Sequence, residues 1–334
     1  MCSQPNITVI ITAHDRKDFI RYAVDSVLAQ DLSKDKFEII VVKNYFDREI
    51  DEYFNKLNIR NIIMNSSPIG EKLALAIHGS RGNIICFLED DDTFVNFKLR
   101  RILEIFSQQD VCFCFNSYQT IDVHGNFIPS NIKQRLIKSY QISSADYKKK
   151  PKKLKPIAQI IRNSSISIRK NILEQHLTEL ERIRISPDFF MFYVALLSSS
   201  TLYIEAEKMT NYRVHHSASN FISSQNEFLF AKITFLNNSM SDAIVIKEML
   251  TNSIYEKYLD VHMHEIEATL KLCSNETIPL RKDSIKSLLA GYSLHNSVNR
   301  YLLLFTAILS RYRKEPIIKL YYLFWMHQNR RVER

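Results

Sequence analysis

The chain has 334 residues, is 46% hydrophobic and 24% charged, and carries a net charge of +9. This length suits one large domain or one domain with an appendage, and the composition excludes an intrinsically disordered chain. Five cysteines in no framework spacing exclude a disulfide scaffold, no apolar stretch reaches the ~18 residues of a membrane span, and the positive charge suits anionic partners.

The opening Met-Cys-Ser-Gln-Pro leads straight into a strand-like segment and not a signal peptide, so a reduced, cytoplasmic setting is expected. Ile7 to Thr12 reads as a buried strand ending on Ala13-His14-Asp15-Arg16. Residues 17 to 30 have helical spacing, with Phe19, Ala23 and Val27 on one stripe. Phe37 to Val42 is a second buried strand, ending on Lys43-Asn44. Glu52 to Leu57 is a short helix or turn, Ile59 to Met64 a third strand, and Pro68-Ile69-Gly70 a break before a helix from Glu71 to Gly79. Ile84 to Leu88 is a strand buried on both faces, followed by a helix over 94–107 and a strand at Val111 to Phe115. His124-Gly125-Asn126 is a turn able to close a hairpin.

Residues 138–155 hold seven lysines and one aspartate, which predicts a solvated loop or, less often, an anion-binding lid. Strand-like alternation resumes at Ser164 to Ile168. Lys170 to Arg182 is helical, and Phe189 to Leu197 is a buried helix introduced by Ser186-Pro187-Asp188, where proline suits a first turn. Leu202 to Ala206 is a strand and Met209 to Val214 a further candidate. From about Asn226 the chain is helical. Alternating strands and helices predict an α/β fold with a mostly parallel sheet flanked by helices, joined to an α-helical C-terminal region. Tyr301 to Ser310 and Pro316 to Met326 are apolar and flanked by basic residues, a pattern of interfacial membrane helices and equally of helices packed on the catalytic domain or another subunit.

The sharpest chemical signal is Glu89-Asp90-Asp91-Asp92 at the end of the buried strand 84–88. Four carboxylates cannot be buried bare, and ligands of open sheets bind beyond the carboxyl ends of strands. Oxygen donors suit Mg2+ or Mn2+. The competing reading is that Asp92 or Thr93 caps a helix starting near Phe94 while the other acids are solvated. With five glycines in the chain and neither G-x-G-x-x-G nor G-x-x-x-x-G-K-[ST], the Rossmann and P-loop phosphate cradles are disfavoured.

Several elements in order resemble glycosyltransferases of the GT-A fold, family 2 type: Thr8 to Arg16, Phe37 to Val42, Gly70, Ser80 to Asp92, Ser186-Pro187-Asp188 and Asn211-Tyr212-Arg213-Val214-His215. The resemblance covers about residues 5–220. It implies a Rossmann-like GT-A catalytic domain over 1–224, with a nucleotide-sugar-binding half (1–115) and an acceptor-side half (116–224), followed by a helical region over 225–334. It implies an inverting transferase that moves a sugar from a nucleotide-diphospho-sugar to a glycan or lipid-linked acceptor with Mn2+ or Mg2+. Asp91 is then the first metal ligand, with Asp92 and His215 (His216 as fallback) beside it; a second register takes Asp90 and Asp92 as the pair. Asp188 is the implied general base. Thr12, His14, Arg16 and Asn44 lie where base and ribose bind, and Lys72, Glu89, Asp90 and Arg213 complete the donor contacts.

The sequence also departs from the family pattern. Lys43-Asn44 stands where an acidic pair usually contacts the base, although the Asn44 amide can hydrogen-bond a base. Glu89 takes the first position of D-x-D-D, Pro187 replaces a glutamate, and Leu73 stands where an arginine is frequent, with Lys72 as substitute. The expected partners are the donor, the acceptor, an anionic membrane surface at the inner face of the cell membrane, and a second copy of the chain, with no nucleic acid. The alternatives are a non-catalytic anion- or nucleic-acid-binding protein on the same fold, and a sugar-1-phosphate nucleotidyltransferase, which normally needs a glycine-rich loop this chain lacks.

Overall fold

The computed structural model describes residues 5–65, 68–128, 138–158, 161–215, 224–274, 282–290 and 314–330. It divides into two compact units, Met1–Val214 and His215–Arg334; the sequence reading places the boundary at 224.

The first unit is built on one sheet: β1 (Ile7–Ala13), β2 (Phe37–Lys43), β3 (Arg60–Ile63), β4 (Ile84–Glu89), β5 (Thr93–Phe94), β6 (Val111–Ile121), β7 (Tyr140–Ile142), β8 (Ile166–Arg169) and β9 (Thr201–Arg213). The order is β3-β2-β1-β4-β8-β6-β9-β5, with β7 also on β9. β1 runs parallel to β2 and β4, and β2 to β3, with the crossovers carried by α1 (Ile20–Leu28), α2 (Arg48–Lys56) and α3 (Ile69–His78). Beyond β4 the sheet is mixed. β8 is antiparallel to both β4 and β6, while β9 runs parallel to β6 and antiparallel to β5 and β7. One reversed strand between β4 and β6 leaves those two pointing the same way. The carboxyl ends of β1, β2, β4, β6 and β9 therefore share one edge, and Thr12, Lys43, Glu89 and Arg213 all lie there.

The core follows from composition. All of β1 is buried, and Val9, Ile11, Val41, Cys86 and Leu88 pack with Ala23, Val24 and Val27 of α1 and with Leu99 and Ile102 of α4 (Lys98–Phe106). That helix starts four residues later than its periodicity suggests. Its N-cap is Phe97, with no side-chain cap, and Thr93–Phe94 pairs with β9. Neither Asp92 nor Thr93 caps the helix, so the capping explanation of the acids is withdrawn.

The lysine-rich segment is also not a loop. Tyr140–Ile142 pairs with β9, and α5 (Ser144–Lys149) follows, with the Ser143 hydroxyl accepting the Asp146 N–H at 3.2 Å. Tyr147 is fully buried and donates to Ser200 O at 2.9 Å. Ile142, Tyr147, Leu154 and Ile157 supply an apolar stripe that the lysines obscure; the last two belong to a 3-10 turn and to α6 (Lys155–Ala158). Ser199 and Ser200 precede β9, so α5 packs at the pole opposite the acids, away from where a lid over them would sit. Lys170 to Arg182 is broken into α7 (Lys170–Leu173), a 3-10 turn and α8 (Leu177–Glu181). The two strand candidates at 202–206 and 209–214 merge into β9, with register shifts against Asn116 to Tyr118. Proline does open α9 (Pro187–Leu197).

Gly70 fixes the start of α3. Its N–H donates to Ile183 O at 2.9 Å, and an added Cβ would lie 1.7 Å from the main-chain oxygen of Leu180. At Gly79 the same atom would meet only the movable guanidinium of Arg60. Gly70→Ala is expected to cost about 3 kcal/mol or more, hence a Tm fall of about 6–12 °C, with Gly79→Ala well under half of that. Equal melting shifts for the two variants would refute this account.

The second unit is helical, with α10 (Gln225–Met249), α11 (Glu256–Cys273) and helices at Lys282–Ala290 and Lys314–Arg330. Ser224 caps α10 by accepting the Glu227 N–H, and Phe228 packs on Tyr321 and Tyr322. No helix among the described residues is long and apolar enough to cross a membrane. The apolar run Tyr301 to Ser310 lies outside the described residues, and in the last helix Leu320 and Leu323 are exposed.

Candidate active site

The edge formed by the strand ends gathers the acids. One oxygen each from Glu89, Asp91 and Asp92 can lie within 4.8 Å of the others. Asp90 is not part of that group; its Oδ1 accepts from Arg16 Nη2 at 2.6 Å, and the same guanidinium reaches Asp91 Oδ2 at 2.8 Å. Burial works against the Arg16 charge, but its bonds to Asp90 and the charges of Asp90 and Asp91 outweigh this and hold it above its ordinary value. Burial pushes the Asp90 carboxyl up to about 6, against the pull of Arg16. Burial and the charge of Asp91 push Asp92 up to about 7. Glu89 is raised well above the usual carboxylate range by burial and then by Asp92, Asp91, Asp188 and Asp90. Crowded carboxylates that resist ionising together are the electrostatic counterpart of a cation site.

The loop carrying the acids is held from behind. Asp92 Oδ1 accepts the Arg213 N–H at 2.9 Å, Asp90 N–H donates to Thr12 O at 3.2 Å, and Glu89 N–H donates to Ser164 Oγ at 3.0 Å. Arg213, expected at a phosphate, spends its guanidinium on the carbonyls of Asp91 (2.8 Å), Asp122 (2.9 Å) and Val123 (3.0 Å) and lies over the Phe19 ring. It ties the acid loop to the turn after β6. That turn is the hairpin foreseen at His124-Gly125-Asn126; Gly125 has φ +87°, and the Asp122 carboxylate accepts from His124 and Asn126.

At the ends of β1 and β2, Asp15 adopts the left-handed region with φ 53°. Asn44 Oδ1 accepts its N–H at 2.8 Å, and Asn44 Nδ2 donates to its carboxylate at 2.7 Å. The Asn44 amide, expected to meet a base, thus organises Asp15. Lys43 is fully buried, ion-paired to Asp51 at 2.9 Å and donating to Tyr45 O, so the lysine that replaces an acid is a strut inside the fold. Lys72 Nζ lies 3.0 Å from His14 Nδ1, and burial lowers its affinity for the proton.

Asp188 occupies the first turn of α9, where its Oδ1 accepts the Phe189 N–H at 2.9 Å. Its charge reaches both Glu89 and Arg162, which places it beside the acid cluster. Arg162 lies over the Tyr212 ring at 5.4 Å and hydrogen-bonds Tyr118. His215 belongs to the second unit, and His216 lies outside the described residues.

Lys98 and Ser164 were not singled out in the sequence. Lys98 is fully buried beneath the acid loop, and burial drives its ammonium down to about 7. The signal was its spacing: Lys98 shares a helix stripe with Ile102 and Ile105. Ser164 had no comparable signal. Away from this edge, a cavity of about 330 Å3 lined by Cys112, Arg169, His176 and Leu197 lies at the opposite pole, where Arg169 pairs with Ile84 at the start of β4.

The titration of Asp92 gives a sign that can be checked. Its folded value lies above its unfolded one, so between about pH 4 and about 7 the native state binds more protons and stability falls as pH rises. Asp90 acts in the same sense up to about 6, whereas Lys98, depressed to about 7, gives stability that rises with pH above that point. In metal-free buffer Asp92→Asn is expected to gain Tm relative to wild type steadily from pH 4 to 7.5. A difference that stays flat across that range would rule out a buried, strained carboxylate.

Residues 8–177 match the family model Glycosyl transferase family 2. The chain belongs to glycosyltransferase family 2. This family member is 31% identical over 128 residues to a Rickettsia bellii protein described only as an uncharacterized glycosyltransferase, a match covering 37% of this chain and 18% of that one. It is 27% identical over 128 residues to TuaG of Bacillus subtilis, a glycosyltransferase assigned provisionally to teichuronic acid biosynthesis, over 36% of this chain and 50% of TuaG. The matches thus span only part of these relatives. Among solved structures, S. aureus TarS 1-349 in complex with UDP-GlcNAc superposes with a TM-score of 0.57 at 14% identity, covering 95% of this chain and 92% of that one. The chain therefore has the GT-A-type fold that its sequence resembles.

Proposed function

We propose that this family 2 glycosyltransferase moves a sugar from a nucleotide-diphospho-sugar to a hydroxyl of a glycan or lipid-linked acceptor, with inversion and with divalent-metal assistance. The observation that carries this reading is the convergence of Glu89, Asp91 and Asp92 within 4.8 Å at the carboxyl edge of the sheet, with Asp188 beside them. Their hard oxygen donors and mutual repulsion fit Mn2+ or Mg2+. Support for the donor class comes from TarS structures, which contain UDP-GlcNAc or UDP.

A divalent cation held by Asp91, Asp92 and Glu89 would offset the negative charge that gathers on the diphosphate as the glycosidic bond breaks. Lys72 adds positive charge on the same edge. Arg16 keeps Asp90 and Asp91 in place, and Thr12, His14 and the Asp15–Asn44 pair line the part of the edge assigned to base and ribose. Asp188 takes the proton from the acceptor hydroxyl as its oxygen attacks on the face opposite the diphosphate. Its position at a helix N-terminus favours the negative charge this role needs. The helical second unit is assigned to an anionic membrane surface at the inner face of the cell membrane or to a second copy of the chain.

The test is donor hydrolysis and donor binding across a panel of nucleotide sugars with Mn2+, Mg2+ or chelator. Metal-dependent release of one nucleotide identifies the base. If no nucleotide sugar binds with either metal, the transferase reading falls.

A further inference from the structure

Lys98 is an ammonium with 0% exposure, and such burial is tolerated only where the surrounding groups repay it. Its Nζ donates to Ser164 O at 2.7 Å and to Thr210 Oγ1 at 3.0 Å, and it lies 3.7 Å from the centre of the Phe94 ring. Each contact leads to the acid loop. The Ser164 hydroxyl accepts the Glu89 N–H at 3.0 Å and hydrogen-bonds the Asp92 carboxylate. Thr210 faces Phe94 across the β5–β9 pair; three residues further on, the Arg213 N–H donates to Asp92 Oδ1 at 2.9 Å. Phe94 itself follows Asp92 by two residues. Thr210 Oγ1 also donates to Ser164 O at 2.9 Å and accepts from Asn116 Nδ2 at 3.0 Å, closing a buried polar ring around the ammonium.

We propose that Lys98, acting through Ser164, is a positioning residue that preorganises Glu89 and Asp92 for a divalent cation. This rests on the metal reading given above. The Lys98 ammonium donates to the Ser164 carbonyl, which sets the Ser164 hydroxyl, which in turn holds the main chain of Glu89 and the side chain of Asp92. A carboxylate cluster without that support would spread under its own repulsion, and the ion would have to reassemble it. Groups that orient metal ligands in this way typically change affinity by about 10–100-fold when removed.

The experiment titrates the full chain with Mn2+, reading free Mn2+ by electron paramagnetic resonance, for wild type, Lys98→Met, Ser164→Ala and the double variant. Ile102→Val, on the same helix and outside the polar ring, serves as a control for lost packing. Lys98→Met and Ser164→Ala are each expected to weaken Mn2+ binding by about tenfold or more. The double variant should be no weaker than the worse single one, because both act along one chain of contacts. Ile102→Val should lower Tm and leave Mn2+ affinity unchanged. Should Lys98→Met fail to fold, Lys98→Gln, which removes the charge and keeps a polar end, takes its place in the series with the same expected loss. Affinities within twofold of wild type, or losses that add in the double variant, overturn the proposal while leaving the metal reading intact. A wild type that binds no Mn2+ overturns both.

Discussion

Asp91→Asn is expected to abolish metal-dependent turnover while leaving the fold intact. The substitution keeps shape and removes one of three converging anionic oxygens, so the remaining pair should hold Mn2+ poorly. The Asp91 carbonyl that Arg213 grips is unchanged, and Asp90 still binds Arg16, so the loop should keep its path. Loss of a group that stabilises developing charge costs about 10²–10³ in kcat, and here the loss of the ion adds to it. The measurement is nucleotide release from the preferred donor, with Mn2+ affinity and Tm taken in parallel. Transfer that survives both the substitution and chelator would show that charge on the leaving group is met without metal. Lys72 and Arg16 would then be the groups to examine.

Asp188→Asn is expected to lower sugar transfer by about 10²–10⁴-fold with little change in donor or Mn2+ binding. An amide cannot take the acceptor proton, yet it can still accept the Phe189 N–H and preserve the first turn of α9. Removing the charge should also ease ionisation of Glu89, which Asp188 opposes, so metal affinity should hold or rise slightly. That direction separates the two acids: Asp91→Asn loses the metal and Asp188→Asn keeps it. A variant that transfers at the wild-type rate would remove Asp188 from the chemistry and leave it as a helix-terminal acid.

The contrast between expected and observed structure follows from range. β1, β2 and β4 were legible because continuous apolar runs have one stable outcome, burial on both faces of a parallel sheet. The acids were legible because four carboxylates at the end of such a run have few tolerable environments. Other features escaped because their causes lie far apart in sequence. The segment 138–155 looked like a loop because its lysines dilute an apolar stripe whose anchor, Tyr147, is buried by a contact with Ser200. The antiparallel part of the sheet depends on β8 inserting between β4 and β6, which no local pattern announces. Arg213 and Asn44 carry groups suited to ligands, and only their neighbours show that the main chain of the acid loop and Asp15 take up those groups.

The amino-acid sequence by itself determined the alternation of strands and helices, the strand that ends in acids, the proline-led helix bearing Asp188, and the resemblance to the family to which the chain belongs. These rest on periodicity and on the cost of burying charge, both local properties. Only the tertiary structure decided which acids converge, because Glu89, Asp91 and Asp92 share a space that β4 alone does not define, with Arg16 bridging Asp91 to Asp90 outside it. Only it placed Lys98 and Ser164 behind them, since a buried ammonium becomes tolerable through oxygens drawn from β9 and from the turn before β8, more than sixty residues away along the chain.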